Sequence, residues 1–198
     1  MHKEPPATTV PDADFAQGDT AAEDLSPFAL IWSVAKELLL VLVPALVLAL
    51  LVNRLVAETT VVFGSSMEPL LSPYQRLVVE KVSYRFAPPA VGDVVVLDIP
   101  NQRENLIKRV IAAPGDTLEI VEGVVWVNGL QRPEAYVQSR MEESLRPRQL
   151  DDNEYFVMGD NRPNSHDSRN FGPVVSDQIV GRAWLRYWPL PDITLFPS

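Results

Sequence analysis

The chain of 198 residues contains no cysteine, so disulfides, thiol nucleophiles and zinc–thiolate sites are excluded. Histidine is nearly missing as well, with only His2 and His166, and lysine is confined to Lys3, Lys36, Lys81 and Lys108. No basic stripe is present. The net charge is −9: residues 1–26 carry one lysine against six acids, and the chain after residue 57 carries fourteen Lys and Arg against nineteen acids. That balance argues against nucleic acid as a partner. No internal repeat is visible, and no strong helical pattern occurs after residue 60.

What is present divides into three parts. Residues 1–26 are rich in Pro, Ala, Thr and Asp, a composition that predicts a disordered acidic tail. The tail lacks the basic start and apolar core of a secretory signal. Residues 38–52 are an unbroken apolar run, with largely apolar flanks that extend it over 27–57. No polar face interrupts the run. This predicts one N-terminal transmembrane helix, with Lys36, Glu37, Arg54 and Trp32 at its ends and Pro44 within it. A buried core helix or a surface-lying helix is the alternative. Residues 58–198 read as strands: 76–82, 93–99, 106–112, 117–121, 124–127, 155–158 and 179–188 are β-branched or alternating runs, with turns at Glu122-Gly123 and Asn128-Gly129. The expected fold is mainly β, an antiparallel, strongly coiled β-sheet domain. Residues 131–153 are polar with alternating charge and are expected to form a surface excursion.

Val61-Val62-Phe63-Gly64-Ser65-Ser66-Met67-Glu68-Pro69 reads as a strand that breaks at a glycine and two hydroxyls. Such a break can expose a serine Oγ beside backbone N–H groups, although it is also ordinary turn composition. Either Ser65 or Ser66 needs a base. His2 lies in the tail, and His166 sits in a loop crowded with Gly, Asn, Pro and Ser. Lysine serves as a base only when neutral, which requires burial or nearby positive charge. Lys3 and Lys36 are remote, and Lys81 falls in a polar row beside Glu80. Lys108, in Leu106-Ile107-Lys108-Arg109-Val110-Ile111, has apolar neighbours on both sides. Alternation alone leaves open whether it faces inward or outward.

A third stretch, Gly159-Asp160-Asn161-Arg162-Pro163-Asn164-Ser165-His166-Asp167-Ser168-Arg169-Asn170-Phe171-Gly172-Pro173, is dense in groups able to order a buried polar site. Together, G-S-S-M-E-P, K-R-V-I-A-A-P-G-D and G-D-N-R-P-N-S-H-D-S-R resemble the ordered boxes of the type I signal peptidases (leader peptidases), membrane-anchored Ser-Lys proteases. The resemblance covers about residues 60–188. It implies Ser66 as nucleophile and Lys108 as general base, with Ser165 hydrogen-bonding that lysine. Asp167 and Arg169 match a supporting ion pair, and Asp160 and Arg162 match structural positions of the same box. Gly64 stands where many members carry a serine that assists the oxyanion hole, so a serine there should be tolerated. Tyr74-Gln75 replaces the usual Gly-Asp before the strand at Arg76.

The resemblance further implies removal of signal peptides from exported preproteins, with small residues before the cut. An extended substrate would lie along Thr60, Val61, Val62, Phe63 and Met67 on one side and Leu106 and Ile107 on the other. It implies a single-pass protein of the lipid bilayer with its catalytic domain on the outer face of a plasma membrane, or in a thylakoid membrane. No metal and no cofactor are expected. Two rivals remain: a self-cleaving Ser-Lys peptidase, and an inactive membrane-anchored β domain with a binding or scaffolding role.

Overall fold

The computed structural model describes residues 27–100, 102–139 and 141–196. The acidic tail expected over 1–26 lies outside the described residues. Helix α1 runs Pro27–Leu55, with Pro27 at its first position, where a missing N–H costs nothing. Residues 30–55 are long and apolar enough to cross a membrane, spanning about 39 Å at 1.5 Å per residue. Its leucines and valines are exposed along its length.

The chain turns from helix to strand within two residues, because β1 is Ala57–Val61. Ala57, taken above as a flank of the apolar span, is therefore a strand residue. Val62 and Phe63 fall just past the strand, though Val62 still pairs. Its N–H donates to the Gln75 carbonyl at 2.9 Å, and its carbonyl accepts from Tyr74 N–H at 2.9 Å. The other strands follow the β-branched runs closely: β2 Arg76–Glu80, β3 Val94–Leu97, β4 Leu106–Ala112, β5 Thr117–Val121 and β6 Val124–Val127. Then come β7 Leu130–Gln131, β8 Leu145–Gln149, β9 Glu154–Met158, β10 Val174–Val175, β11 Ile179–Trp188 and β12 Thr194–Leu195. A one-turn helix, α2 Ser168–Phe171, is capped by the Asp167 side chain.

The larger sheet has the order β1-β2-β11-β3-β4-β9-β10 with β12 on β11, and the smaller has the order β7-β6-β5-β8. All pairings are antiparallel. The larger sheet is covered on both faces. Val62, Met67, Leu77, Val94, Val96 and Ile107 pack on one side, and Val95, Leu97, Val110, Tyr155 and Val157 on the other. That is why β3 reads Val-Val-Val-Leu with every residue buried instead of alternating. A third cluster, including Ile111, Leu118, Val125, Phe156 and Met158, joins the β4–β9 end to the smaller sheet.

Residues 131–153 are mostly exposed, as a surface excursion would be, but they are not all loop. They include β8, which pairs with β5 through Thr117 and Gln149, and Glu134, which is only 6% exposed. Two of their acids, Glu134 and Glu143, serve as partners for the arginines Arg162 and Arg169.

Candidate active site

The turn after β1 carries Ser66. Gly64 has φ +77, a left-handed conformation that brings the next residues round at little cost for glycine. Space lies open at its missing Cβ, so a serine there would meet no clash but would be held in backbone strain. This revises the expectation that Gly64→Ser is simply tolerated. Tyr74 also takes a positive φ, +68, at the position where glycine was expected. Gln75 then secures that turn, its Oε1 accepting the Ser72 N–H at 3.1 Å.

The serine turn is fastened from the third stretch. Asn161 N–H donates to the Ser66 carbonyl at 3.0 Å, and Asn161 Nδ2 donates to the Ser65 carbonyl at 3.1 Å. The Ser66 N–H finds no acceptor among the described residues. That leaves a donor beside the hydroxyl.

Lys108 Nζ donates to Ser66 Oγ at 2.8 Å and to its neighbouring Ile107 carbonyl at 3.1 Å. Ser65 makes no such contact among the described residues. Lys108 is 2% exposed, and the residue opposite it on β3 is the fully buried Val95. The alternation was ambiguous because both faces of β4 are covered. Burial pushes the Lys108 ammonium down to about 8; the Asp167 carboxylate opposes this and the Arg169 guanidinium adds to it. The neutral amine is therefore within reach near physiological pH. Lys81, just past β2, pairs with Glu58 at 2.6 Å, and His166 packs edge-on against Phe171.

Behind the dyad lie three arginine–carboxylate pairs, each two-pronged. Arg169 binds Asp167 through Nε at 2.8 Å and Nη2 at 2.9 Å. Burial pushes the Asp167 carboxyl up, but the hydrogen bonds from Arg169 and the Gly159 N–H outweigh it and hold the carboxyl below the usual range. Arg109 binds Asp160 at 2.9 and 2.7 Å, and Arg162 binds Glu134 at 3.0 and 2.5 Å. Asp160 and Arg162 thus support the site through separate partners, not through each other. Ser165 departs from expectation in its partner: Lys108 does not donate to its buried hydroxyl, which instead lies beside the Asp167 carboxylate.

Of the residues expected to line an extended substrate, Thr60, Val61, Phe63 and Leu106 are at least partly exposed. Val62, Met67 and Ile107 are core residues of one cluster, so their side chains are already packed away. β1 is an edge strand. On β4, pairing with β9 begins at Arg109, which leaves residues 106–108 with β3 as their only strand neighbour among the described residues. Gly159, Asn161, Arg109, Glu134 and Tyr136 had no assigned role in the sequence. The one signal for Gly159 was its place at the head of the third stretch. Glu134 gave none.

A serine hydroxyl in contact with a buried lysine, on a curled antiparallel β domain, is the equipment of a serine hydrolase. A family model described as "Signal peptidase, peptidase S26" matches residues 35–188. A Synechocystis sp. protein named "Probable signal peptidase I-1" is 41% identical over 172 residues, 83% of this chain and 88% of its own. Another from Synechocystis sp., "Probable signal peptidase I-2", is 39% identical over 160 residues, 78% of this chain and 73% of its own. The "Thylakoidal processing peptidase 1, chloroplastic" of Arabidopsis thaliana is 35% identical over 156 residues, 73% of this chain and 46% of its own. The chain belongs to the signal peptidase family, peptidase S26.

Proposed function

We propose that this chain is a membrane-anchored signal peptidase I that removes signal peptides from exported preproteins with a Ser66–Lys108 dyad. The observation that carries the reading is the 2.8 Å contact between Lys108 Nζ and Ser66 Oγ, made by a lysine whose burial favours its neutral form.

Neutral Lys108 takes the Ser66 Oγ proton as the oxygen attacks the scissile carbonyl, forming an Oγ–C bond and an oxyanion. The unpaired Ser66 N–H is the donor for that oxyanion, with no side-chain hydroxyl from position 64. Collapse breaks the C–N bond, and Lys108 returns its proton to the leaving amine. A water then gives a proton to Lys108 and attacks the acyl carbonyl. The ester C–O bond breaks, and Ser66 Oγ recovers its proton from Lys108. No step needs a metal or organic cofactor.

The exposed edge of β1 beside Thr60–Phe63 and the unpaired margin of Leu106–Lys108 fit an extended segment held by strand addition. In an antiparallel pair, successive residues aim their backbone groups to opposite sides. Val62 is bonded towards Tyr74 and Gln75, so Val61 and Phe63 present theirs to the free edge. Helix α1 is the anchor, and residues 58–198 are the peptidase domain, on the outer face of a plasma membrane or in a thylakoid membrane. The test is cleavage of a preprotein by the full chain in detergent, with the cut mapped by mass spectrometry. Cleavage after a small residue that is lost in Lys108→Ala supports the mechanism. Full activity in Lys108→Ala overturns it.

A further inference from the structure

Glu134 lies in the segment after β7, far in sequence from every residue of the proposed dyad. It is nevertheless 6% exposed, and its partner Arg162 is 2% exposed. Both carboxylate oxygens are used: Nη2 and Nη1 of Arg162 donate to Oε1 and Oε2 at 2.5 and 3.0 Å. Tyr136 adds its hydroxyl to Oε1 at 3.1 Å, and the Tyr136 ring lies 4.2 Å under the Arg109 guanidinium. Arg109 itself grips Asp160. One carboxylate therefore sits where two of the arginine pairs meet.

Arg162 has one more donor nitrogen, and its use is informative. Nε donates to the Gly159 carbonyl at 3.0 Å, while the Gly159 N–H donates to Asp167 Oδ2 at 3.0 Å. Gly159 is thus held from both ends. Its Cα faces the Ser66 carbonyl and the Ser165 side chain so closely that an added Cβ would collide with both. Two residues on, Asn161 takes the Ser66 and Ser65 carbonyls. Residues 159–161 form a bracket against the serine turn, and Arg162 sets one side of it.

A guanidinium in this position needs a carboxylate for two reasons. It would otherwise be a buried charge without compensation. It would also be free to rotate, since a planar fork is fixed only when both prongs are engaged. We propose that Glu134 is a positioning residue for cleavage, orienting Arg162 so that Gly159 and Asn161 hold Ser66 against Lys108. The proposal rests on the Ser66–Lys108 reading. It predicts that the geometry of the dyad, and hence kcat, depends on a side chain that touches neither substrate nor dyad.

The experiment compares the wild-type full chain in detergent with Glu134→Asp, Glu134→Gln, Arg162→Met and Glu134→Gln/Arg162→Met, using a fluorogenic signal-peptide substrate. kcat and KM are measured at a temperature where circular dichroism shows each variant folded. Glu134→Asp keeps the countercharge but shortens the reach. The expected result is a loss in kcat of about 10-fold for Glu134→Gln and a smaller one for Glu134→Asp, with KM within about 2-fold, since small misplacements act on the reacting geometry. Because Glu134 acts through Arg162, the double variant should be no slower than Arg162→Met alone.

Unchanged kcat in folded Glu134→Asp and Glu134→Gln overturns the proposal, even if their melting temperatures fall. So do losses that multiply in the double variant. If Glu134→Gln does not fold, Glu134→Asp decides. If neither folds, Glu134 is a residue of the fold, and the proposal also fails. A wild type that does not cleave, or an active Lys108→Ala, defeats the dyad reading itself and is distinguishable from all of these.

Discussion

Lys108 belongs to the larger sheet and Lys81 follows directly on one of its strands, yet the two have opposite surroundings. Lys81 follows the last residue of β2, retains some solvent, and has the Glu58 carboxylate at 2.6 Å. Lys108 sits inside β4 with Val95 opposite and almost no solvent. Its close partners are a hydroxyl and a carbonyl, not a carboxylate. The carboxylate whose charge it feels, Asp167, is already engaged two-pronged by Arg169. Lys81 is engaged by a carboxylate, whereas Lys108 is released towards a base. The difference lies in who neutralises whom, not in the strand that carries them.

The sharpest way to break this comparison is to remove each lysine in turn. Lys108→Ala and Ser66→Ala should each lower preprotein cleavage by ~10⁴-fold or more, as loss of a nucleophile or its base does elsewhere. Lys108→Met should be inactive yet more stable at pH 7. The folded chain holds this lysine at about 8, against the ordinary 10.5. Between those pH values the unfolded chain binds the extra proton, so stability rises with pH across that window. Below pH 8 both states are protonated, and the fold bears the full cost of about 3 kcal/mol. A thermal melt should show the Met variant higher at pH 7, with the gain shrinking towards pH 10.5.

The next largest effect should come from Gly159→Ala. Its Cβ would strike the Ser66 carbonyl and Ser165, and a shift of the serine turn by 1 Å is worth roughly 10²-fold in rate. Single-turnover kinetics at saturating substrate would read this directly.

The pH profile sharpens the same contrast. Lys108 acts when neutral, so kcat/KM should rise with pH through about 8, gaining about 10-fold between pH 7 and pH 9. A profile flat across this range would deny Lys108 the role of base. Gly64→Ser should remain active but lose about 1 kcal/mol to its left-handed backbone, visible as a lowered denaturation midpoint. Smallest of all is Lys81→Ala. A partly solvated pair is worth about 0.2–1 kcal/mol, so cleavage should stay within about 2-fold of wild type.

Much of this was legible before any coordinates. The apolar run announced α1, and β-branched runs located most strands to within a residue or two, because burial on both faces of a sheet favours them. The serine turn and the scarcity of lysine and histidine narrowed the possible pairings, and the ordered boxes pointed to Ser66 and Lys108. What stayed hidden shares one cause. Glu134 and Arg109 act through partners 28 and 51 residues away, and a local pattern carries no trace of such a partner.

Composition and pattern were enough to dictate a helix able to span a bilayer, an antiparallel β body and a short inventory of groups able to do chemistry. These follow from local propensity and periodicity, which each segment carries with it. The inward turn of Lys108, the lowering of its proton affinity and the hold of Glu134 on Arg162 do not. Desolvation and charge pairing depend on what packs around a side chain, and that is settled only when distant strands close over it.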